Sequence, residues 1–400
     1  MPAEIVRLTG GASDVAAIAR AAAIIRDGGL VAFPTETVYG LGANALNDAA
    51  VAKIFDAKGR PAGDPLIVHL SSADAVITVA ASVPEIAWTL MRRFWPGPLT
   101  LILERGRVVP LRVTGGGASV ALRVPAHPVA AALLRAARVP IAAPSANRFS
   151  RPSPTTADDV AEDLGDRIDM ILDGGPSTHG VESTVVDLTG PEPAVLRPGA
   201  ITLEALRAVL PRIKLRIAVV RETPAPAAAP PEPVAPPEPA APTEPVAPPE
   251  SVAPPEPVAS VPAVPDTPRE ISTPPLVSPG TLLKHYSPRA EVRLWTGAAD
   301  RLVAAMRKDI EAQLAAGRRV GVLLFDEDRP AIEGLAVLLM HLGSRANLAD
   351  AAASLFAAMR ALDRSGVNVI VASDPGRDGL GLAIWDRLFR AAEGRVLESK

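Results

Sequence analysis

Two periods of apolar spacing alternate along the first half of the chain. Residues 14–26 carry apolar side chains at helical spacing, and Gly28-Gly29 ends that run before a short apolar strand over 30–33. Helical spacing returns at 48–57, where Asn47 can cap, and at 83–94, 128–138, 155–164 and 202–210. Apolar runs of strand length lie between, at 66–70, 99–103, 119–124, 141–143, 170–172, 184–188 and 194–196. Helices interleaved with both parallel-type and hairpin-type strands predict an α/β fold with a mixed sheet. Residues 290–400 keep a simpler rhythm: strands at 292–295, 319–325, 335–342 and 367–372, helices at 299–316, 347–365 (capped by Asn347) and 381–393. That alternation predicts a small Rossmann-like, doubly wound parallel-sheet domain. No Gly-x-Gly-x-x-Gly follows its first strand, so no dinucleotide site is expected there.

Between the two rhythms, residues 224–275 hold 20 of the 43 prolines. Near-repeats of Pro-Pro-Glu-Pro-Val/Ala-Ala start at Pro230, Pro236, Pro248 and Pro254. Proline removes a backbone donor and biases the residue before it away from the helix, so this tract favours polyproline II without a core. It reads as a semi-rigid linker, or as a ligand for a proline-binding module. The expected organisation is therefore 1–220, a linker at 221–277, a short segment at 278–289 and a second domain at 290–400. Charge supports the division. The parts 1–220, 221–277 and 278–400 hold 22 basic and 21 acidic residues (+1), 2 and 8 (−6), and 17 and 15 (+2), against −3 overall. Neither flanking domain is basic enough to suggest stable nucleic-acid binding, and aromatics at 3% argue against extensive base stacking.

The apolar content of 48% and mean hydropathy of +0.22 suit folded domains with sizeable cores. Zero cysteines exclude a disulfide framework, thiolate metal sites and cysteine nucleophiles. The N-terminus has no basic segment leading into an apolar run, and no apolar stretch of ~20 residues appears. A cytoplasmic protein without a membrane segment is the expectation.

Several polar motifs stand at strand ends, where α/β sheets bind ligands. Residues 33–42 read Phe-Pro-Thr-Glu-Thr-Val-Tyr-Gly-Leu-Gly after a buried strand: a ligand loop, or a polar loop with capping threonines. Lys58-Gly59-Arg60-Pro61 offers a point charge and a fork for phosphate oxygens, without Walker A spacing; it also reads as a cationic helix end. Ser145-Ala146-Asn147, followed by Ser153, fits phosphate or ribose donors or a capped turn. Arg123, with Ser119 earlier on the same strand, and Arg197 leave apolar strands as anion clamps. His69 lies inside a strand as a core residue or a ligand, and Ser183 begins another strand. No Ser-His-Asp order or H-E-x-x-H cluster is present. The set fits a nucleotide with a small anionic or zwitterionic substrate, and catalysis by positioning and charge stabilisation.

Taken in order and spacing, PTETVYGLG (34–42), KGRP (58–61), SAN (145–147), ESTVVD (182–187) and LRPG (196–199) resemble the YrdC domain of threonylcarbamoyl-AMP synthases. Residues 278–400 resemble the family's accessory C-terminal domain, through Ser278-Pro279-Gly280, His285-Tyr286-Ser287-Pro288 and Gly379–Ile384. The resemblance implies the long, two-domain form. It implies a nucleotidyltransferase that condenses L-threonine, bicarbonate and ATP to threonylcarbamoyl-AMP and pyrophosphate, with Mg²⁺ arriving on ATP and no protein metal site. The product would pass to a separate transferase that modifies tRNA. On that reading Lys58, Arg60, Ser119, Ser145, Asn147, Ser153, Arg197 and Tyr286 hold ATP, with Lys58, Arg60 and Arg197 also catalytic. Thr35, His69, Arg123 and Ser183 hold threonine, and 278–288 forms a lid. The chain's two tyrosines, Tyr39 and Tyr286, would then lie in the site loop and the lid. Ser119 departs from the threonine common in relatives but keeps the hydroxyl. The competing readings are an RNA-binding or ribosome-associated module, a carbamoyl transferase of the hydrogenase-maturation type, and a scaffold acting through the proline tract. The second wants zinc-finger cysteines, which this chain lacks.

Overall fold

The computed structural model describes residues 2–217, 276 and 278–399. The proline repeats, and with them nearly all of the expected linker 221–277, lie outside the described residues. The flanking parts pack together as one compact unit.

The N-terminal domain runs β1 (Glu4–Arg7), α1 (Ala12–Arg26), β2 (Val31–Phe33), β3 (Gly40–Asn44), α2 (Asp48–Lys58), β4 (Ile67–His69), α3 (Glu85–Phe94), β5 (Leu99–Glu104) and β6 (Ser119–Arg123). It continues with α4 (Pro128–Ala137), β7 (Ile141–Ala142), α5 (Ala157–Leu164), β8 (Met170–Asp173), β9 (Thr184–Asp187), β10 (Ala194–Arg197), α6 (Leu203–Arg207) and β11 (Lys214–Leu215). Local chemistry sets several helix ends. The Asn47 side chain accepts from the Ala50 amide at 3.1 Å, Thr156 and Thr202 cap α5 and α6 in the same way, and Pro128 starts α4. The strands form one mixed sheet in the order β1-β8-β2-β3-β7-β4-β6-β5-β9-β10-β11. For example, β4 and β6 pair parallel, whereas β3–β7, β5–β6 and β9–β10 pair antiparallel. Ala21, Ile25, Leu133 and Leu134 from α1 and α4 pack on Val31, Phe33 and Leu172. Val51, Ile54, Leu90 and Val160 from α2, α3 and α5 share the main core with Leu41, Val68, Leu101 and Leu122.

The C-terminal domain runs β12 (Glu291–Thr296), α7 (Ala299–Ala315), β13 (Val320–Phe325), β14 (Leu338–Gly343), α8 (Leu348–Arg364), β15 (Val369–Ser373), α9 (Gly381–Ala391) and β16 (Val396–Glu398). Its sheet order is β14-β13-β15-β12-β16, with every pair parallel. In chain order this is third, second, fourth, first, fifth, which differs from the common 3-2-1-4-5 arrangement of doubly wound sheets. Leu302, Met306 and Ile310 of α7 cover one face through Val320, Val322 and Val369. Leu355, Phe356, Met359, Ile384 and Leu388 of α8 and α9 cover the other. That second core continues across the domain boundary to Val38, Val181 and Tyr286. At the sheet's C-terminal edge, Arg345 donates to both Asp328 carboxylate oxygens (3.1 and 2.8 Å) and to the Asp374 carbonyl (3.2 Å), so the usual ligand position is filled by an ion pair.

Besides adding the short strands β1, β11 and β16, which the sequence pattern did not predict, the structure differs from the expectation in four further places. Residues 40–44 are a central strand, not the end of a loop. A Cβ at Gly42 would stand 2.8 Å from the Phe33 ring and 2.9 Å from Ile141, so only glycine fits beside β2 and β7. The strand expected from 335 starts at Leu338, because turn bonds from Leu335 to Ile332 and from Val337 to Leu335 use the preceding backbone. The helix expected over 202–210 is regular only to Arg207; Pro211 follows, and the residue before a proline avoids the helical region. Asn347 precedes α8 but its side chain does not cap the helix; its amide donates to Asp350 Oδ2 at 2.7 Å instead.

Candidate active site

Strand register builds one wall of the site. His69 and Arg123 are the last residues of β4 and β6 and are direct partners in the parallel ladder. With a side-chain period of two they share a sheet face with Ile67 and Ala121. Arg123 is fully committed: it donates to Glu36 Oε1 at 2.6 Å, to Thr37 Oγ1 at 3.0 Å and to the Gly97 carbonyl at 3.2 Å. These bonds pin the loop between β2 and β3. Within that loop the Thr35 hydroxyl donates to the Val38 carbonyl at 2.6 Å and accepts from the Thr37 and Val38 amides. Burial works against ionisation of Glu36, but the charge and hydrogen bond of Arg123 more than offset it and hold the carboxyl below its usual range. Burial, reinforced by the Arg123 charge, pushes His69 down to about 3, so the imidazole is neutral at neutral pH. Its Nδ1 is buried without a hydrogen-bond partner among the described residues.

The opposite wall is cationic. Lys58 closes α2, and Gly59 turns the chain in a left-handed conformation. The Lys58 ammonium donates to the Ser145 carbonyl at 2.7 Å and the Asn147 carbonyl at 2.5 Å. Burial, and then the Arg60 charge, hold its pKa well below the usual lysine value. Arg60 is held by Asp64 at 2.9 Å and the Pro65 carbonyl at 2.7 Å. Arg197 ends β10 and donates to the Ser183 carbonyl (3.0 Å) and hydroxyl (3.1 Å); that hydroxyl also meets Thr100 Oγ1 at 2.8 Å. Asn147 donates to the Arg148 and Arg151 carbonyls, and Ser153 donates to Glu182 Oε1 at 2.5 Å.

The segment 278–288 covers these walls. Arg197 donates to the Pro279 carbonyl at 3.4 Å, and the Ser287 amide donates to the Ser150 carbonyl at 2.7 Å. Gly280 has φ +74°, and a Cβ there would stand 3.0 Å from the Tyr286 hydroxyl and 3.1 Å from the Arg197 guanidinium; both demands select glycine. Tyr286 is fully buried against Phe356 of α8 and the His285 ring, with centroids at 5.3 and 4.1 Å. Burial and the Glu182 charge push its phenol up to about 12. The cavity beneath it measures about 50 Å³. That is smaller than the ~300–1,000 Å³ usual for small-molecule sites.

Thr35, His69, Arg123, Arg60, Ser145, Ser183, Arg197 and Tyr286 all line this cavity. Lys58, Asn147 and Ser153 stand behind the lining, joined to it by the bonds above. Ser119 is elsewhere: it pairs with Glu104 at the start of β6, roughly 13 Å along the strand from Arg123. Tyr39 is buried, but its hydroxyl turns to the Gly175 carbonyl at 2.7 Å and does not line the cavity. The pairing of the two tyrosines, one in the site loop and one in the lid, therefore holds for position and not for contact. Sequence reasoning left Glu182 and His285 without roles, although both line the cavity and both sit inside motifs it quoted. It passed over Arg387, which donates to Glu182 Oε2 at 2.9 Å from the other domain.

The chain is similar to known proteins over nearly its whole length. A family model described as telomere recombination (Sua5, YciO and YrdC) matches residues 23–199, and the model of the threonylcarbamoyl-AMP synthase C-terminal domain matches 250–393. The threonylcarbamoyl-AMP synthase of Pyrococcus abyssi is 39% identical over 381 residues, covering 94% of each chain. That of Bacillus subtilis is 40% identical, covering 95% of this chain and 94% of its own. The crystal structure of P. abyssi Sua5 complexed with L-threonine aligns over 100% of both chains with a TM-score of 0.80 at 37% identity. With both domains matched and the alignments running nearly end to end, the chain belongs to the threonylcarbamoyl-AMP synthase family.

Proposed function

We infer that the chain is an L-threonylcarbamoyladenylate synthase, and that it uses L-threonine, bicarbonate and ATP. The observation that carries this reading is one cavity that brings Thr35, His69 and Ser183 together with the guanidinium groups of Arg60, Arg123 and Arg197. We assign threonine to Thr35, His69, Arg123 and Ser183. The neutral His69 ring can share a hydrogen bond with the amino acid, and Arg123 acts by fixing Glu36 and Thr37 beside it. We assign ATP to Lys58, Arg60, Ser145, Asn147, Ser153 and Arg197, with Tyr286 closing over it; Ser119, at the far end of β6, takes no part.

The threonine amine attacks bicarbonate carbon and water leaves, giving a carbamate. A carbamate oxygen then attacks the α-phosphorus, and the α–β bridging bond breaks to release pyrophosphate. Negative charge builds on phosphoryl oxygens, and we assign its stabilisation to Arg60 and Arg197, which line the cavity, and to Lys58 just behind the lining. Mg²⁺ enters as part of the substrate, carried on the ATP phosphates. Closure of 278–288 shields the carbamate and the adenylate from water. We propose that the product then goes to a separate tRNA threonylcarbamoyl transferase and that the reaction takes place in the cytoplasm. Among the described residues no helix is long and apolar enough to cross a membrane.

Pyrophosphate release by the purified full-length chain tests this. Release should require both threonine and bicarbonate, with threonylcarbamoyl-AMP as the co-product. Release that ignores either substrate, or its absence alongside tight RNA binding, would overturn the synthase reading in favour of an RNA-binding module.

A further inference from the structure

Three arginines of the C-terminal domain are buried where it meets the rest of the chain: Arg360 on α8, and Arg387 and Arg390 on α9. Each donates to a backbone carbonyl outside its own domain. Arg360 reaches the Pro152 carbonyl at 2.6 Å, Arg387 the Pro198 carbonyl at 2.6 Å, and Arg390 the carbonyls of Thr281 and Leu282 at 2.8 and 2.9 Å. The positions of these acceptors form a pattern. Pro152 precedes Ser153, Pro198 follows Arg197, and 281–282 lie in the covering segment. Buried loop carbonyls of this kind have no ladder partner and need a donor from elsewhere.

Arg387 makes a second contact of the same sort. Its Nε donates to Glu182 Oε2 at 2.9 Å, while Glu182 Oε1 accepts from the Ser153 hydroxyl at 2.5 Å. Glu182 directly precedes Ser183, whose carbonyl and hydroxyl hold Arg197. One side chain thus grips both chain segments that carry Arg197 and Ser183, and reaches Ser153 through one carboxylate. Its charge is balanced within the cluster: Asp386 pairs with Arg387 at 2.9 Å and with Arg390 at 3.0 Å. The guanidinium also stands 5.5 Å from the Tyr286 ring. A planar fork is needed here, because the Glu182 carboxylate and the Pro198 carbonyl are met by different nitrogens.

We propose that Arg387 is a positioning residue for the nucleotide side of the site, so that docking of the C-terminal domain sets the geometry of Arg197 and Ser153. The inference rests on the synthase reading for what the site does. It makes the second domain part of the ATP site without any of its side chains touching the reacting atoms. Of the threonine set, Thr35, His69 and Arg123 are untouched by these contacts and only Ser183, next to Glu182, adjoins them, so threonine binding should change far less than ATP binding.

The test uses full-length protein with R387Q, R387K and, as a control ion pair away from the site, R293Q. Arg293 pairs with Asp309 and Glu291 inside the C-terminal domain and has no contact with the cavity. Kinetic constants come from pyrophosphate release, and the ATP Kd from equilibrium dialysis with labelled ATP, which needs no turnover. R387Q should raise both the ATP KM and the ATP Kd ~10-fold or more, with the threonine KM within about 3-fold of wild type. R387K keeps the charge but cannot bridge both acceptors; it should fold like wild type and still show the raised ATP Kd. R293Q should leave both constants unchanged. An ATP KM and Kd within about 2-fold of wild type in R387K, or a loss in R387Q matched by R293Q, would overturn the proposal. Because the dialysis reads binding alone, failure of this inference is distinguishable from failure of the synthase reading.

Discussion

Lys58 carries the strongest conflict between stability and function at the level of single residues. Its ammonium is buried and hydrogen-bonded to two carbonyl oxygens, and burial depresses its pKa well below the ordinary lysine value. A desolvated cation costs free energy in the closed, ligand-free state, and an arriving phosphate would recover part of it. Two outcomes should therefore separate. Lys58→Met keeps the stem and removes the charge; relief of the buried cation should outweigh the lost donor to the Ser145 and Asn147 carbonyls, so its Tm should equal or exceed that of wild type. Adenylate formation should fall ~100-fold or more, as should that of Arg60→Ala. Thermal melts followed by circular dichroism, together with pyrophosphate release, measure both. Turnover near wild type would sink the phosphate role, and a lower Tm would sink the idea that the buried charge is destabilising. The cationic wall was readable from Lys58-Gly59-Arg60 because its residues are neighbours in sequence. Glu182 was not assigned a role, because its partners Ser153 and Arg387 are 29 and 205 positions away.

At the scale of elements, the segment 278–288 depends on contacts from both domains. Tyr286 adopts φ 60°, an uncommon backbone state for a bulky residue, and stacks against Phe356 while Arg390 holds the carbonyls behind it. Tyr286→Ala removes the ring that seats the segment on α8. Closure should become less favourable, so the ATP KM should rise. The ratio of pyrophosphate released to threonylcarbamoyl-AMP recovered should also rise, as the adenylate hydrolyses in a wetter site. Unchanged KM and ratio would remove Tyr286 from the closing mechanism. Element-level reading from sequence worked where period and caps agreed, as at α2, with Asn47 and Gly59 at its ends. It failed at β3, whose glycines look like loop residues but answer to the crowding of Phe33 and Ile141. It also could not distinguish α9 from an ordinary amphipathic helix. The burial of Arg387 and Arg390 is decided by the opposite domain, not by the spacing of α9's own apolar residues.

For the whole molecule, the domain boundary is stabilised by paired buried charges as well as by apolar packing, and such an interface must respond to acid. The apolar part runs from Val38 and Val181 into the α8 and α9 core. The charged part includes Asp163 with Arg360 at 2.6 Å and Glu182 with Arg387 at 2.9 Å. Burial acts to raise the Glu182 pKa, but the charges of Arg387 and Arg197 and the Ser153 hydroxyl outweigh it, leaving the carboxyl below its ordinary 4.5. The folded state therefore binds this proton less readily than the unfolded chain does. The stabilisation is complete above the unfolded value and is lost as pH falls through the lower folded value. Glu182→Gln removes that titration and leaves Arg387 without its carboxylate partner across the boundary, a change of about 3–5 kcal/mol for a broken buried pair. At neutral pH the variant should melt well below wild type. As pH drops beneath the carboxylate's ordinary 4.5, the gap between the two Tm values should shrink, because acid strips the same charge from the wild-type protein. Carboxylates common to both proteins titrate equally and cancel in the difference. A Tm gap that stays constant down to about pH 3 would mean that the ionised Glu182 is not what holds α9 to the site.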